Sequence, residues 1–216
     1  MNLTIVYDNE VYKKDIGLKS DWGFSCLIET EDETILFDNG AKGKILLNNM
    51  EILGKNPKEI NRIVISHEHW DHNGGLKTLS PLVNEVELYR LAKKSPSKNM
   101  HLVSVESSCE ITEGIYTTGR LKGSPVDEHS LVLHGNNGWY VLAGCSHPSV
   151  KTIFDAASQY GNIVGLIGGL HGFDNFKLLE GLDLVCASHC TKHKKDIQKL
   201  FPKICIESGV GRILEI

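Results

Sequence analysis

Three histidines and one aspartate occur within six residues, at His67, His69, Asp71 and His72. Only 10 of the 216 residues are histidine, so such a cluster is improbable by composition. Alternate residues of an extended segment share a face, so His67 and His69 can point together and a following turn can direct Asp71 and His72 to a second point. Imidazole and carboxylate are ligands of zinc, iron and manganese. We therefore predict a metal site here; the alternative is a histidine-rich surface turn.

Three later histidines follow apolar segments and are candidates to complete such a site. His147 comes after the segment 139–142, and His189 comes after the segment 182–185. His171 also follows an apolar run. Side chains at strand ends gather at a common sheet edge and often carry function, so all three candidates stay open.

The elements that must position these residues are mainly strands. Apolar or alternating runs predict strands at 3–7, 24–28, 34–37, 63–65, 86–89, 102–105, 139–142, 163–167, 182–185, 204–206 and 212–216. Helical spacing predicts a helix through Leu46, Met50 and Leu53 that ends at Gly54. Further helices are predicted at 148–160, 176–179 and 194–200, and a solvated loop at 93–99. Strands interspersed with helices indicate an α/β layered fold, and we expect a single domain over residues 1–216.

Composition limits the partners and the compartment. Lys and Arg number 23 against 27 Asp and Glu, a net charge of −4, so binding to nucleic acid through charge is not expected. No apolar run approaches the roughly 18–20 residues that span a bilayer, and residues 1–8 lack the features of a secretion signal. Six thinly spread cysteines predict reduced thiols. We therefore expect a cytoplasmic protein that binds neither nucleic acid nor membrane and takes a small-molecule substrate; a homo-oligomer stays open.

The histidine cluster also carries a family resemblance. His67-x-His69-x-Asp71-His72 resembles the HxHxDH signature of the metallo-β-lactamase superfamily. The segment 35–40 resembles the strand and turn that precede the signature in that superfamily. The resemblance implies a four-layered αββα sandwich with a two-metal site at one edge of the sheets.

Three later segments resemble a narrower branch of the superfamily. They are 144–147, 168–171 and 188–191, and the branch is that of 7,8-dihydropterin-6-methyl-4-(β-D-ribofuranosyl)aminobenzene 5′-phosphate synthase-like, or dihydropteroate-synthase-like, proteins. The chain has Lys192 where the branch has glycine. The resemblance therefore predicts the fold and does not predict the substrate.

The resemblance implies two divalent metal ions and a set of ligands. The ligand candidates are His67, His69, Asp71, His72, His147, His171 and His189. His147 is the first choice to complete the site of His67 and His69. His189 is the first choice to complete the second metal site, that of Asp71 and His72.

The sequence leaves open which residue bridges the two metals and which residues hydrogen-bond to the ligands. A strand-end Asp bridges the metals in most of the superfamily, and no obvious Asp stands there in this chain. His171, Cys145 or His129 could therefore complete or bridge the site, and Cys190 is expected to be a packed thiol. Asp38 is expected to accept the ring N–H of a ligating histidine; the alternative is simple turn chemistry of Asp-Asn-Gly.

The predicted function is that of a metal-dependent hydrolase. Two metals can hold a bridging water and lower its pKa, giving a hydroxide that attacks a carbonyl or phosphoryl centre. Asp71 is the predicted catalytic residue, which orients the nucleophile or passes a proton to the leaving group. Pro148 at a predicted helix start favours a small anionic or phosphorylated substrate. The imidazole-rich set favours zinc, with iron and manganese as alternatives.

Two other classes of function stay open. One is a non-catalytic metal-binding or sensing protein. The other is an iron-dependent redox or transferase enzyme, for which Cys145 and Cys190 are the only indications in the sequence.

Overall fold

The computed structural model describes residues 1–216 and contains two β-sheets with short helices. The chain divides into two compact units, and each unit carries one of the sheets. The first unit comprises residues 1–104 and 208–215, and the second comprises residues 105–207 and 216.

Thirteen strands form the two sheets. In chain order they are β1 (Asn2–Tyr7), β2 (Ser25–Glu29), β3 (Thr34–Phe37), β4 (Arg62–Val64), β5 (Val86–Arg90), β6 (Met100–Ser104), β7 (Cys109–Thr112), β8 (Ile115–Thr117), β9 (Leu131–Gly135), β10 (Gly138–Ala143), β11 (Ile163–Gly169), β12 (Leu184–Ser188) and β13 (Ile213–Glu215). The first sheet has the order β13-β1-β2-β3-β4-β5-β6, and β3 to β6 run parallel. The second has the order β12-β11-β10-β9-β8-β7, and β10 to β12 run parallel.

The parallel strands explain where side chains can gather. Parallel strands bring their carboxyl ends to one edge, which is where open α/β sheets place ligands. In the first sheet, Asp38 comes directly after β3. Ser66 and His67 come shortly after β4. In the second sheet, the segments after β10, β11 and β12 carry His147, His171 and His189 respectively.

The helices are short. They are α1 (Gly43–Ile52), α2 (Trp70–Asn73), α3 (Leu76–Leu79), α4 (Val150–Ala157) and α5 (Lys194–Leu200), with one-turn 3-10 helices at Pro57–Glu59 and Phe176–Leu179. None of the helices has the length and the hydrophobicity that a membrane-spanning segment requires.

Helix α1 shows how spacing in the sequence determines packing in the first unit. Leu46 and Met50 lie one turn apart and are fully buried in the core of that unit, where each contributes roughly 1.5–3 kcal/mol through burial. The helix ends at Ile52, and Gly54, two residues later, has a φ of +69° and donates its N–H to the carbonyl of Glu51. The predicted helix and its C-terminal glycine are confirmed, although Leu53 lies just after the last helical residue.

Helix α4 begins later than predicted. The sequence indicated a helix over 148–160 with Pro148 at its start, but the helix runs over Val150–Ala157. Ser149 precedes it, and its hydroxyl accepts the N–H of Thr152 at 3.2 Å. The serine cap determines the boundary because its hydroxyl satisfies a first-turn backbone N–H that has no acceptor within the helix.

The strand predictions differ from the structure in two places. All predicted strands overlap an observed one except 204–206, where Cys205 forms only a single bridge to Val185. The strands β7, β8 and β9 were not predicted. Both β7 and β8 are short, and Cys109 and Glu110 of β7 are both exposed, so β7 and β8 lack the apolar run that indicates a strand. The loop at 93–99 is confirmed.

Gly168 gives a direct test of the second sheet. Its φ is +117°, and a Cβ built there would lie 1.9 Å from the carbonyl oxygen of Ala143 on the neighbouring strand. We expect Gly168→Ala to lower the free energy of unfolding by about 3 kcal/mol, because both backbone strain and overlap with backbone must be relieved. Gly172 has no atom within 4 Å of its built Cβ. Gly172→Ala should change stability by less than about 0.5 kcal/mol, and chemical denaturation of both variants checks the difference.

Candidate metal centre

A buried carboxylate organises the histidine loop of the first unit. Asp38 is fully buried after β3, with a φ of +56°. Its Oδ1 accepts the N–H of Ser66 at 2.8 Å, and its Oδ2 accepts the Ser66 hydroxyl at 2.8 Å and lies 2.7 Å from Nδ1 of His72. Because a buried carboxylate without partners is costly, these three contacts are what make its burial possible. The structure thus contains the carboxylate–imidazole contact predicted from the sequence.

The same contacts determine the tautomers of two histidines. A carboxylate oxygen only accepts, so Nδ1 of His72 carries the hydrogen and Nε2 keeps its lone pair. Ser66 gives its hydroxyl hydrogen to Asp38, so its oxygen accepts from Nδ1 of His67 at 2.9 Å. His67 therefore also presents the lone pair of Nε2. A metal binds the unprotonated ring nitrogen, so both rings are in the form that a metal site requires.

His67 and His69 lie at a spacing that fits one metal ion. Nε2 of His67 is 3.2 Å from Nδ1 of His69. Two nitrogens each about 2.0–2.1 Å from a tetrahedral zinc ion lie roughly 3.3 Å apart. His67 is fully buried, whereas His69 is half-buried. The distance between these two nitrogens therefore fits two ligands of one tetrahedral ion.

Helix α2 turns the chain directly after these two histidines. His69 is extended, with φ −73° and ψ 147°, and Asp71 lies in the first turn of the helix. The Asp71 carboxylate is buried, and its Oδ2 accepts the indole N–H of Trp22 at 2.8 Å. The His72 ring packs against the His67 ring at 4.1 Å between centroids, with the two planes tilted by 45°. The extended segment followed by a turn is the arrangement predicted from the spacing.

Glu68 lies between the two metal-ligand candidates but points to a different partner. Its carboxylate pairs with the Arg90 guanidinium and accepts the side-chain N–H of Asn73 at 3.0 Å. Partial burial alone would raise the pKa of Glu68, but the hydrogen bonds and charge of Arg90 outweigh it and hold that pKa below its usual value. The charged pair anchors the histidine segment to β5.

The second unit contains a comparable carboxylate, which the sequence analysis did not identify. Glu128 is fully buried, and its Oε1 accepts the backbone N–H groups of Gly144, Cys145 and Ser146 at 3.0–3.1 Å. Its Oε2 accepts the backbone N–H of His147 at 2.9 Å. Four donors therefore converge on one carboxylate and hold the loop that carries His147. The only signal in the sequence was an acidic residue just before the apolar run 131–133.

Three histidines and two cysteines gather at the ends of β10, β11 and β12. The ligand atoms of Cys145, His147 and His171 lie within 4.8 Å of one another, as do those of Cys145, His189 and Cys190. The His147 and His171 rings are 4.6 Å apart between centroids. His189 is buried, whereas His171 is exposed. All three histidines predicted to follow strands therefore lie at one edge of the second sheet.

Hydrogen bonds orient His147 and connect these loops. Nδ1 of His147 lies 3.3 Å from the carbonyl oxygen of Ser124, which can only accept, so Nε2 of the ring keeps its lone pair. The hydroxyl of Ser146 donates to the carbonyl of Gly169 at 2.8 Å. Thr191 Oγ1 accepts the N–H of Leu170 at 3.0 Å. The three loops therefore form one hydrogen-bonded group.

His129 lies outside these groups of ligand atoms. It is fully buried, and its Nδ1 is 2.8 Å from Oγ1 of Thr117. This hydrogen bond gives one ring nitrogen of His129 a partner in the interior of the second unit.

A cavity of about 400 Å³ opens beside the histidines of the second unit. Its walls combine apolar and polar side chains, which are Ser146, His147, Ser149, Val150, Lys151, Leu170, His171, Gly172, Phe173, Asp174, Asn175 and Leu178. A cavity of this size, with a few convergent polar groups, suits a small molecule.

Comparisons with known proteins identify relatives of the chain. The model of the metallo-β-lactamase superfamily matches residues 23–159. The chain is 24% identical over 244 residues to the 7,8-dihydropterin-6-methyl-4-(β-D-ribofuranosyl)-aminobenzene-5′-phosphate synthase of Methanocaldococcus jannaschii, a match that covers 82% of this chain and 83% of that protein. The predicted resemblance to the superfamily and to this branch is confirmed.

Solved structures share the fold over the whole chain. A metal-dependent hydrolase of the β-lactamase superfamily has a TM-score of 0.78 and 23% identity, covering 100% of this chain and 99% of that one. Zn²⁺-bound PqqB from Methylobacterium extorquens has a TM-score of 0.66 and 12% identity, covering 100% of both chains. These likenesses confirm the predicted fold class, a mixed α/β structure with two sheets.

The Glu128 carboxylate can be tested by an isosteric change. In Glu128→Gln one acceptor oxygen becomes an amide donor that faces backbone N–H groups, so we expect the free energy of unfolding to fall by about 3 kcal/mol. Glu180 is exposed, and Glu180→Gln should change it by less than about 0.5 kcal/mol. Urea denaturation measures both, and equal stabilities would show that the four hydrogen bonds do not hold the loop.

Proposed function

Because the chain belongs to the metallo-β-lactamase superfamily, we propose that it is a metal-dependent hydrolase with a two-metal site. Its proposed substrate is a small anionic or phosphorylated molecule. The observation that carries the proposal is the pair of ring nitrogens on His67 and His69, 3.2 Å apart, with the neighbouring serine and carboxylate holding the tautomer of His67. A histidine-rich surface turn would not require these buried hydrogen bonds among Asp38, Ser66 and His67.

The proposed cofactor is a pair of divalent cations, with zinc favoured. The proposed ligands are His67, His69, Asp71, His72, His147, His171 and His189. Imidazole nitrogens predominate in this set, and zinc accepts them readily. The zinc-bound PqqB structure, which shares the fold, supports the same choice of metal.

The chain's own residues would position the reaction. When bound, the cations supply an acidified water and a Lewis acid that stabilises the developing oxyanion. Asp71 is the proposed catalytic residue, which would orient the nucleophile or pass a proton to the leaving group. The indole N–H of Trp22 donates to Oδ2 of Asp71 and holds the carboxylate in place. Asp38 holds the hydrogen on Nδ1 of His72, which keeps that ring in its ligand form.

The cavity of the second unit supports the proposed substrate class. His147 and His171 line it together with Lys151 and the first turn of α4, where backbone N–H groups favour an anion. The Lys151 ammonium is 2.6 Å from the Asp155 carboxylate, but both side chains are about two-thirds exposed. Such exposed pairs are weak, so the ammonium can turn towards a bound anion. The apolar wall of the cavity suits the remainder of a small molecule.

Replacing the paired histidines tests the metal site. We expect the purified protein to bind two zinc ions per chain and His67→Ala/His69→Ala to lose at least one of them, because two of the four signature ligands are gone. His101 is exposed on β6 and pairs with Glu85, so His101→Ala is a matched control that should retain both ions. Elemental analysis after dialysis gives the stoichiometry, and full zinc content in the double variant would contradict the assignment.

A substrate panel tests the hydrolase activity itself. We expect zinc-dependent hydrolysis of at least one member of a panel of phosphodiesters, lactones and thioesters, and its loss in the double variant. Full zinc occupancy with no turnover on any of them would contradict the hydrolase proposal and favour a metal-binding or sensing role.

The ligands of the second unit can be separated by single substitutions. His147 is half-buried with its Nδ1 hydrogen directed to a carbonyl, whereas His171 is exposed. We therefore expect His147→Ala to weaken zinc binding more than His171→Ala, by roughly 10–100-fold in affinity. Competition with a chromogenic chelator measures both, and unchanged affinity in both variants would show that strand-end position did not identify the ligands.

A further inference from the structure

Two cysteine thiols lie in contact at the ends of β10 and β12. The Sγ atoms of Cys145 and Cys190 are 3.3 Å apart. Cys145 is buried, with 2% of its surface exposed, and Cys190 is half-buried. The proposed hydrolase chemistry uses neither thiol. The sequence predicted a packed thiol at Cys190, and the two cysteines were the only indications of redox chemistry.

The surrounding backbone holds the two sulfurs together. A Cβ built on Gly169 would lie 2.8 Å from Sγ of Cys190 and 3.3 Å from Cα of Cys145, so the absence of a side chain there makes room for the pair. Gly169 also donates its N–H to the carbonyl of Gly144 at 3.1 Å and accepts the Ser146 hydroxyl at 2.8 Å. The loop of Cys190 is tied in turn by the bond from the N–H of Leu170 to Oγ1 of Thr191.

We propose that Cys145 and Cys190 are an oxidation site, at which peroxide converts two thiols to a reversible intrachain disulfide. The half-buried Cys190 sulfur attacks hydrogen peroxide, the O–O bond breaks, and a sulfenic acid and water form. The Cys145 sulfur then attacks the Cys190 sulfur, the S–O bond breaks, and a second water leaves as the S–S bond forms. The sulfurs lose two electrons to one peroxide, and both thiol hydrogens leave in the waters. A dithiol such as dithiothreitol reverses the reaction.

The position of the pair gives the modification a consequence for the candidate metal centre. Cys145 precedes His147 by two residues, and Cys190 directly follows His189. A disulfide therefore joins the loops that carry two proposed ligands. That consequence rests on the proposed function, whereas formation of the disulfide does not.

Peptide mapping of the full-length protein tests the proposal. The protein as purified is treated with one equivalent of hydrogen peroxide, alkylated and digested with trypsin without reduction. We expect peptides 123–151 and 178–192 to be linked, with a mass equal to their sum less two hydrogens, and to separate after dithiothreitol. The second peptide also contains Cys186, so fragmentation must assign the link to Cys190.

Single variants supply the controls. Cys190→Ser and Cys145→Ser should each abolish the linked peptide. Cys186→Ser, at a buried cysteine on β12, and Cys109→Ser, at an exposed one, should retain it. Thermal unfolding verifies that each variant is folded, and the result for the unmodified sequence does not depend on any variant.

Three results would overturn the proposal. Alkylation of both Cys145 and Cys190 after peroxide treatment would show that no disulfide forms. A link that persists in Cys190→Ser through Cys186 would show that the wrong pair was chosen. Conversion of Cys190 to sulfinic acid without any linked peptide would show that Cys145 does not reach it.

Discussion

A buried carboxylate that accepts hydrogen bonds from a histidine-bearing loop is the interaction on which the candidate ligands of each unit depend. Asp38 accepts from Ser66 and His72, and Glu128 accepts four backbone N–H groups from 144–147. An isolated charge in either place would cost several kcal/mol, so each carboxylate and its loop must fold together. These hydrogen bonds therefore contribute to the orientation of the histidines in each unit.

Backbone strain is concentrated around the same loops. Of the six residues other than glycine with positive φ, four are Asp38, Ser146, His171 and His189, with φ between 45° and 63°. Each such residue costs of order 1 kcal/mol or more, and such residues cluster at functional sites because the surrounding contacts over-determine them. Here the surrounding contacts are the parallel strand ends and the two carboxylates. The strained residues and the ligand candidates thus lie in the same loops because the strand ends and the two carboxylates hold both.

The sequence predicted what local patterns determine. The apolar spacing around Leu46 and Met50 predicted α1, and alternation with a turn predicted the layout of His67 to His72. The sequence did not predict the structural role of Glu128. Its four hydrogen-bond donors belong to a loop that is distant in the chain, and a single acidic residue carries no local pattern that indicates them. The contact of Cys145 with Cys190 was likewise hidden, since 45 residues separate them and only the parallel pairing of β10 to β12 brings them together.

Anomalous diffraction at the zinc absorption edge tests the central claim most directly, because it locates metal and side chains in one experiment. Crystals grown with zinc should show two anomalous peaks, and one of them should lie about 2.0–2.1 Å from Nε2 of His67 and from Nδ1 of His69. His147 and His189 should each lie within bonding distance of one of the two peaks. A zinc-saturated crystal with no peak within bonding distance of His67 and His69 would contradict the account.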